Sequence, residues 1–120
     1  MKMKKVLPLL LFVLLVFAGC QRGPAIYQMS ESPKEMAENA EKFAKETVKR
    51  SRHYTEEDWK ITFDQFEAMA KDYVDKRNQM DEEELFRADS ARLVFTEAVA
   101  KNGSLELALQ TKEIFHKICD

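Results

Sequence analysis

The side chains best suited to acid–base or metal chemistry lie near the end of the sequence. Glu113 and His116 form a single Glu-x-x-His, which would place a carboxylate and an imidazole on one helix face. Di-iron bundles need two such pairs together with further inward carboxylates. His116 and Cys119 are one helical turn apart, but two ligands do not complete a zinc site. We therefore predict no catalytic residue, no metal site and no cofactor.

Other polar candidates have structural explanations. His53 follows Arg50 and Arg52 in a predicted turn, where a solvated surface role is expected. Asp89 and Arg92 are three residues apart on a predicted helix and can form an ion pair, with ligand binding as the alternative. The sequence has no Gly-rich phosphate loop, no Cys-x-x-Cys and no His-Glu-x-x-His. These features do not favour an enzyme.

Cys20 is the residue whose surroundings indicate one defined reaction. Lysines precede an apolar run over residues 6–17, which is shorter than the roughly twenty residues that span a membrane. Ala18, Gly19 and Cys20 follow, and the stretch resembles the lipobox of bacterial lipoproteins, with Phe17 where Leu is usual. The resemblance implies cleavage before Cys20, a thioether-linked lipid and an acylated amine carrying chains such as palmitate. An ordinary secretory signal is the alternative.

The predicted anchor divides the chain into three parts. Residues 1–19 are the signal peptide, residues 20–31 the lipidated cysteine and a flexible tether, and residues 32–120 a folded domain. Several acyl chains give stable attachment to a membrane, where one chain alone is marginal. Cys119 then has no second cysteine in the mature chain. It is expected either as a small buried residue or, less favoured, in an intermolecular disulfide.

Composition limits the folded part to one modest domain. The chain has 120 residues, of which 45% are hydrophobic and 33% charged, a balance typical of globular proteins. Only three glycines and three prolines argue against a turn-rich β architecture. Loss of the leader's three lysines leaves 16 basic against 21 acidic side chains. This acidic balance does not favour nucleic acid as a partner.

Helix-start signals recur along the folded part. Ser32 as the cap, Pro33 in the first turn and Glu35 completing a capping box predict a first helix that ends near Arg52. Its predicted buried face comprises Met36, Ala37, Ala40, Phe43, Ala44, Thr47 and Val48. Residues 54–59 predict the next start, with Thr55 as cap, Asp58 completing a capping box and the rings of residues 54 and 59 in contact. This helix is expected to end near residue 77.

A third helix should begin at Asp81, because Asp81 and Glu84 repeat the capping box. One continuous helix through residue 80 is the less favoured alternative. Two apolar stripes lie on opposite sides of this helix, which predicts packing between two neighbours. The stripes are Phe86, Leu93 and Ala100 on one side, and Ala88, Ala91, Phe95, Ala98 and Val99 on the other.

The last helix is unusually apolar for its length. Gly103 suits a left-handed cap that ends the third helix, and Ser104 suits the N-cap of the fourth. Apolar side chains cover over half of residues 105–119, so the helix should pack into the core, with a partner interface as the alternative. The predicted fold is thus all-α, a small antiparallel bundle of three to four helices joined by short loops.

The Tyr-Thr-x-Glu-Asp-Trp run at residues 54–59, with the acid-rich start at residue 81, is similar to small uncharacterised helical lipoproteins of Bacteroidetes. The similarity covers roughly residues 53–103 and implies an envelope lipoprotein with no known activity. We expect a non-enzymatic protein, held by Cys20 in the outer membrane and facing the periplasm. A binding partner in the envelope would contact the last helix. A carrier that holds a small apolar ligand between helices is the alternative.

Overall fold

The computed structural model describes residues 23–119, which form four α-helices and no strand. The helices are α1 (Pro33–Arg50), α2 (Glu56–Lys76), α3 (Glu82–Asn102) and α4 (Leu105–Cys119). Short 3-10 turns at Ser51–His53 and Arg77–Gln79 follow α1 and α2. The predicted all-α bundle is confirmed, and so is the break between the second and third helices. The predicted signal peptide and Cys20 lie outside the described residues.

Local side-chain caps explain where α2 and α3 begin. The Thr55 hydroxyl accepts a hydrogen bond from the Asp58 amide at 3.2 Å, and the Asp58 carboxylate accepts one from the Thr55 amide at 3.0 Å. At the start of α3, the Asp81 carboxylate accepts a hydrogen bond from the Glu84 amide at 2.8 Å, and the Glu84 carboxylate accepts one from the Asp81 amide at 2.9 Å. Each pair satisfies two amides that a helix start leaves without partners. Both of these capping boxes were predicted, and both are present. The box predicted at the start of α1 is wrong in part: the Ser32 hydroxyl accepts a hydrogen bond from the Glu35 amide at 3.1 Å, but the Glu35 side chain does not return one to the Ser32 amide.

The bundle runs up and down, so that helices two apart in the chain are parallel. Glu41 near the middle of α1 forms an ion pair with Arg87 near the start of α3. Ser51, just beyond α1, accepts a hydrogen bond from the Asn102 side chain at the end of α3, at 2.7 Å. The connection between α1 and α2 therefore lies beside the connection between α3 and α4. We call this part of the bundle, residues 51–55 and 102–105, the turn end.

Aromatic rings from every element fill the centre of the bundle. Phe95 of α3 stacks on Phe66 of α2 with ring centroids 4.4 Å apart, and on Phe43 of α1 at 5.3 Å. Tyr27, which precedes α1, meets Phe43 edge-on at 6.0 Å. The ring centroid of Phe115 of α4 lies 6.4 Å from that of Phe66. Since offset and edge-on aromatic pairs add to the hydrophobic gain from burial, this stack joins all four helices.

Two predicted buried faces need correction. Val48 of α1 is 38% exposed, whereas the other six residues of its predicted face are buried. On α3 the alanine-rich stripe is buried, but Phe86 is 72% and Leu93 53% exposed. The predicted burial of the stripe formed by Phe86, Leu93 and Ala100 is therefore wrong. The predicted packing of α3 against two neighbours is confirmed, since both α1 and α4 contact it.

Gly103 ends α3, but not in the predicted left-handed conformation. Its φ is −105°, which any residue can adopt. The requirement for glycine comes from space, since a Cβ here would lie 2.8 Å from the Val99 carbonyl oxygen and 3.2 Å from the Trp59 ring. Ser104 caps α4 as predicted, accepting a hydrogen bond from the Leu107 amide at 3.1 Å.

Replacing Gly103 with Ala should therefore lower the free energy of unfolding by about 1–3 kcal/mol, because the added methyl group overpacks a contact with backbone. Gly23→Ala is the matched control, since a Cβ at Gly23 would have no atom within 4 Å. Chemical denaturation of both variants checks this. Equal midpoints for the two variants would contradict the assignment.

Candidate functional site

The residues between the predicted anchor and α1 pack against the bundle. The Ala25 amide donates to the Tyr54 hydroxyl at 2.8 Å, and the Tyr27 amide donates to the Gln65 side chain at 2.8 Å. Ala25 is 1% and Tyr27 4% exposed. We call residues 25–30 the leading segment. The expectation of a flexible tether over residues 20–31 is wrong for this segment, because bundle side chains satisfy its amides and its tyrosine enters the core.

The side chain of Asp72 in α2 holds the leading segment against the bundle through hydrogen bonds. Its carboxylate is fully buried and accepts hydrogen bonds from the Tyr27 hydroxyl at 2.5 Å, the Ser30 hydroxyl at 2.7 Å and the Ser30 amide at 3.0 Å. Lys76 donates to the other carboxylate oxygen at 2.8 Å. A buried carboxylate is costly unless it is paired and hydrogen-bonded, and here both conditions are met.

The protonation of this site follows from the same contacts. Burial by itself raises the pKa of Asp72, but the hydrogen bonds from Lys76, Tyr27 and Ser30 outweigh it and hold that pKa below its ordinary value. Burial, followed by the hydrogen bond to Asp72, raises the pKa of the Tyr27 phenol well above its ordinary value. The tyrosine is therefore a donor and the aspartate an acceptor at neutral pH.

Sequence reasoning missed Asp72. The available signal was an acid within the apolar face of α2, three residues after Met69 and six after Phe66, with Lys76 one turn further on. A charged residue on a buried face needs a partner, and Lys76 supplies only one. The remaining donors come from residues far away in the chain, which the spacing along α2 does not reveal.

The predicted acid–base candidates are on the surface of the described structure. Glu113, His116 and His53 are all exposed. No group of three or more His, Cys, Asp or Glu side chains within residues 23–119 is placed to hold a metal ion.

The predicted ion pair between Asp89 and Arg92 is confirmed, with a guanidinium nitrogen of Arg92 2.8 Å from a carboxylate oxygen of Asp89. The Arg92 guanidinium also lies 4.5 Å from the centre of the Phe115 ring, a cation–π contact that joins α3 to α4. Asp89 is exposed, which favours the structural role over binding of a ligand. Cys119 is buried at the end of α4, in agreement with the favoured expectation of a buried helix residue.

An open groove between α2 and α4 is the most apolar concave surface described. It has a volume of about 390 Å³ and is lined by the apolar side chains of Trp59, Phe63 and Leu107 together with Glu56, Lys60 and Gln110. Its volume falls within the range of small-molecule sites, which are mostly apolar with a few polar groups. The groove is open to solvent.

Comparison with known proteins gives no match: no family model, no described protein and no solved structure is similar to this chain. Within residues 23–119, none of the helices combines the length and the apolar character needed to cross a bilayer.

Removing one donor from the buried carboxylate should weaken the fold. Tyr27→Phe is expected to lower the free energy of unfolding by about 1.5–3 kcal/mol, because a hydrogen bond to a buried charge is lost. Asp72→Asn should cost at least as much, since an amide would direct its own donors at other donors. Asp75→Asn is the control, because Asp75 is 76% exposed and its contact with Lys76 is a surface ion pair. Chemical denaturation at neutral pH measures all three; a loss for Asp75→Asn as large as that for Asp72→Asn would overturn the assignment.

The same variants give a pH dependence. The folded state holds the pKa of Asp72 below its value in the unfolded chain, which is about 3.9. The ionised carboxylate therefore adds to the free energy of unfolding above that unfolded pKa, and this stabilisation is lost as the pH falls through the folded-state pKa. The stability difference between wild type and Asp72→Asn should therefore shrink below about pH 4. A difference that stays constant down to the acid limit of folding would contradict it.

Proposed function

We propose that this chain is a non-enzymatic lipoprotein of the bacterial envelope, anchored through Cys20, whose helical bundle binds another envelope component. The observation that carries the proposal is the leader: lysines, an apolar run and then Ala18-Gly19-Cys20. The proposal includes the resemblance of residues 54–59 to helical lipoproteins of Bacteroidetes, for which the comparisons with known proteins give no match. Location in the outer membrane, facing the periplasm, belongs to this proposal.

The docked leading segment supports a role that depends on position. A bundle on a long flexible tether would sample a wide volume around its anchor. Here Ala25 is already buried against the bundle, so little chain is left between Cys20 and the fold. Such an arrangement keeps the bundle near its membrane and suits a protein that holds a binding surface at a set place.

Exposed apolar side chains support the binding role. On the last helix, Thr111 and Cys119 are buried while Leu109 is 59% exposed. On α3, Phe86 and Leu93 remain exposed. Phe86 and Leu93 are seven residues apart and therefore share one face of α3, and an exposed apolar stripe of this kind favours contact with another molecule. We therefore extend the proposed partner surface from the last helix to the exposed stripe of α3.

The groove between α2 and α4 favours a second candidate function. Trp59, Phe63 and Leu107 could hold a small apolar ligand, which would make the protein a carrier. The aromatic stack fills the centre of the bundle, so a ligand would lie in this surface groove and not in the middle of the four helices.

Cys20→Ala should move the protein from the membrane fraction to the soluble fraction while the helical content stays unchanged, because only the site of lipidation is lost. Fractionation with circular dichroism checks this, and mass spectrometry of the wild type should find acyl chains on Cys20. Cys119→Ala serves as the control and should remain in the membrane fraction. Retention of Cys20→Ala in that fraction would refute the anchor.

Partner binding and ligand carriage predict different results. A photo-crosslinking residue at Leu93 or Leu109 should give a discrete adduct in intact cells, whereas one at exposed Lys42, on the outer face of α1, should not. For a carrier, native mass spectrometry should detect a bound apolar molecule that is lost in Leu107→Trp, which fills the groove. Identical adducts at Lys42 would count against the partner surface, and an unliganded mass would count against the carrier.

A further inference from the structure

We propose that the turn end of the bundle is the face that rests against the headgroup region of the membrane. This inference rests on the proposed lipid anchor at Cys20 and adds an orientation to it. The partner is a phospholipid bilayer surface, and the residues that meet it are those around the two helix connections.

The direction of the leading segment is the first argument. Ala25 contacts Tyr54, which lies just before α2, Tyr27 contacts Gln65 in the middle of α2, and Ser30 contacts Asp72 near the end of α2. The segment therefore runs parallel to α2 and away from the turn end. Residues upstream of Ala25 must leave the bundle where Ala25 contacts Tyr54, which is at the turn end.

Chain length is the second argument. The backbone from Cys20 to Ala25 can extend at most about 18 Å. Helix α2 has 21 residues and is therefore about 30 Å long. Cys20 can lie close to the turn end, whereas the opposite end of the bundle is beyond its reach. A lipid on Cys20 thus brings the turn end to the bilayer and leaves the opposite end outside it.

Exposed apolar side chains at this end are suited to such a surface. Leu105, the first residue of α4, is 77% exposed, and Ile26 beside Ala25 is 64% exposed. Leu105 follows Gly103, which approaches Trp59 closely. The ring of Trp59 lies 4.8 Å from that of Tyr54. These contacts place Leu105 and the exit of the leading segment at one end of the bundle, where apolar groups can enter the interfacial layer.

Charge distinguishes the two ends. At the opposite end, α3 begins with four consecutive acids, Asp81 to Glu84, of which the first three are exposed. Lipid phosphates would repel this end. At the turn end, the first turn of α2 carries the acids Glu56, Glu57 and Asp58. The exposed bases Arg52 and Lys101 lie at the same end and offset part of this negative charge. The bundle therefore presents its less acidic end to the headgroups.

The test uses the lipidated protein purified from membranes and placed in vesicles of phosphatidylethanolamine and phosphatidylglycerol. A fluorophore is attached at Leu105→Cys or at Phe86→Cys, each in a Cys119→Ala background, and nitroxide lipids quench it. Phe86 is the matched control, since it is an exposed apolar residue at the start of α3, near the opposite end. Circular dichroism confirms that each labelled variant is folded.

Quenching at position 105 should be severalfold stronger than at position 86. Equal quenching at both positions, or stronger quenching at 86, would overturn the orientation. A third label at Met29→Cys reports a bundle lying on its side, because Met29 is 54% exposed on the leading segment; strongest quenching there would also overturn it. The chain's single tryptophan, Trp59, gives a measurement without labels, and bromolipids should quench its emission.

Failure of the orientation and failure of the anchor give different results. If mass spectrometry finds the lipid on Cys20 and the protein stays on vesicles, but position 105 is not quenched, only the orientation is wrong. If Cys20 carries no lipid, both the anchor and the orientation are wrong.

Discussion

The buried carboxylate of Asp72 is the constraint on which this structure depends. A carboxylate in a protein interior must be compensated, and removing its partners leaves an uncompensated charge that costs several kcal/mol. Only Lys76 comes from the same helix; the Tyr27 hydroxyl and both donors of Ser30 come from the leading segment. The segment is therefore an essential fifth element of the fold, and α2 is fully satisfied only when that element is in place.

Packing around Phe95 complements this polar link. Phe95 stacks between Phe66 and Phe43, and Tyr27 extends the row at its edge. The same tyrosine thus contributes its ring to the aromatic centre and its hydroxyl to Asp72. Since one side chain belongs to both clusters, displacing the leading segment would disturb the packing of α1 as well as the charge on α2. The polar and apolar parts of the core are coupled through Tyr27.

Local features were predicted from the sequence far better than distant ones. The capping boxes at Thr55 and Asp81 depend on residues three apart, so the sequence predicts both the helices and the break between them. The role of Asp72 depends on Tyr27 and Ser30, more than forty positions away. Gly103 was correctly predicted to end α3, but for the wrong reason, because its constraint is the space left by the Val99 carbonyl oxygen and the Trp59 ring and not a left-handed backbone. The exposure of Phe86 and Leu93 likewise depends on where α1 and α4 lie, which the spacing along α3 does not reveal.

Counting the leading segment, the chain crosses the length of the bundle five times. An odd number of passes puts the two ends of the described chain at opposite ends of the molecule: Ala25 lies beside Tyr54, whereas the carbonyl of Cys119 accepts a hydrogen bond from Arg77 beyond the end of α2. A reporter or affinity tag joined beyond α4 would therefore project from the pole opposite Ala25. A fusion there leaves the buried aspartate and the exit of the leading segment untouched, which makes it the suitable site for following this protein in cells.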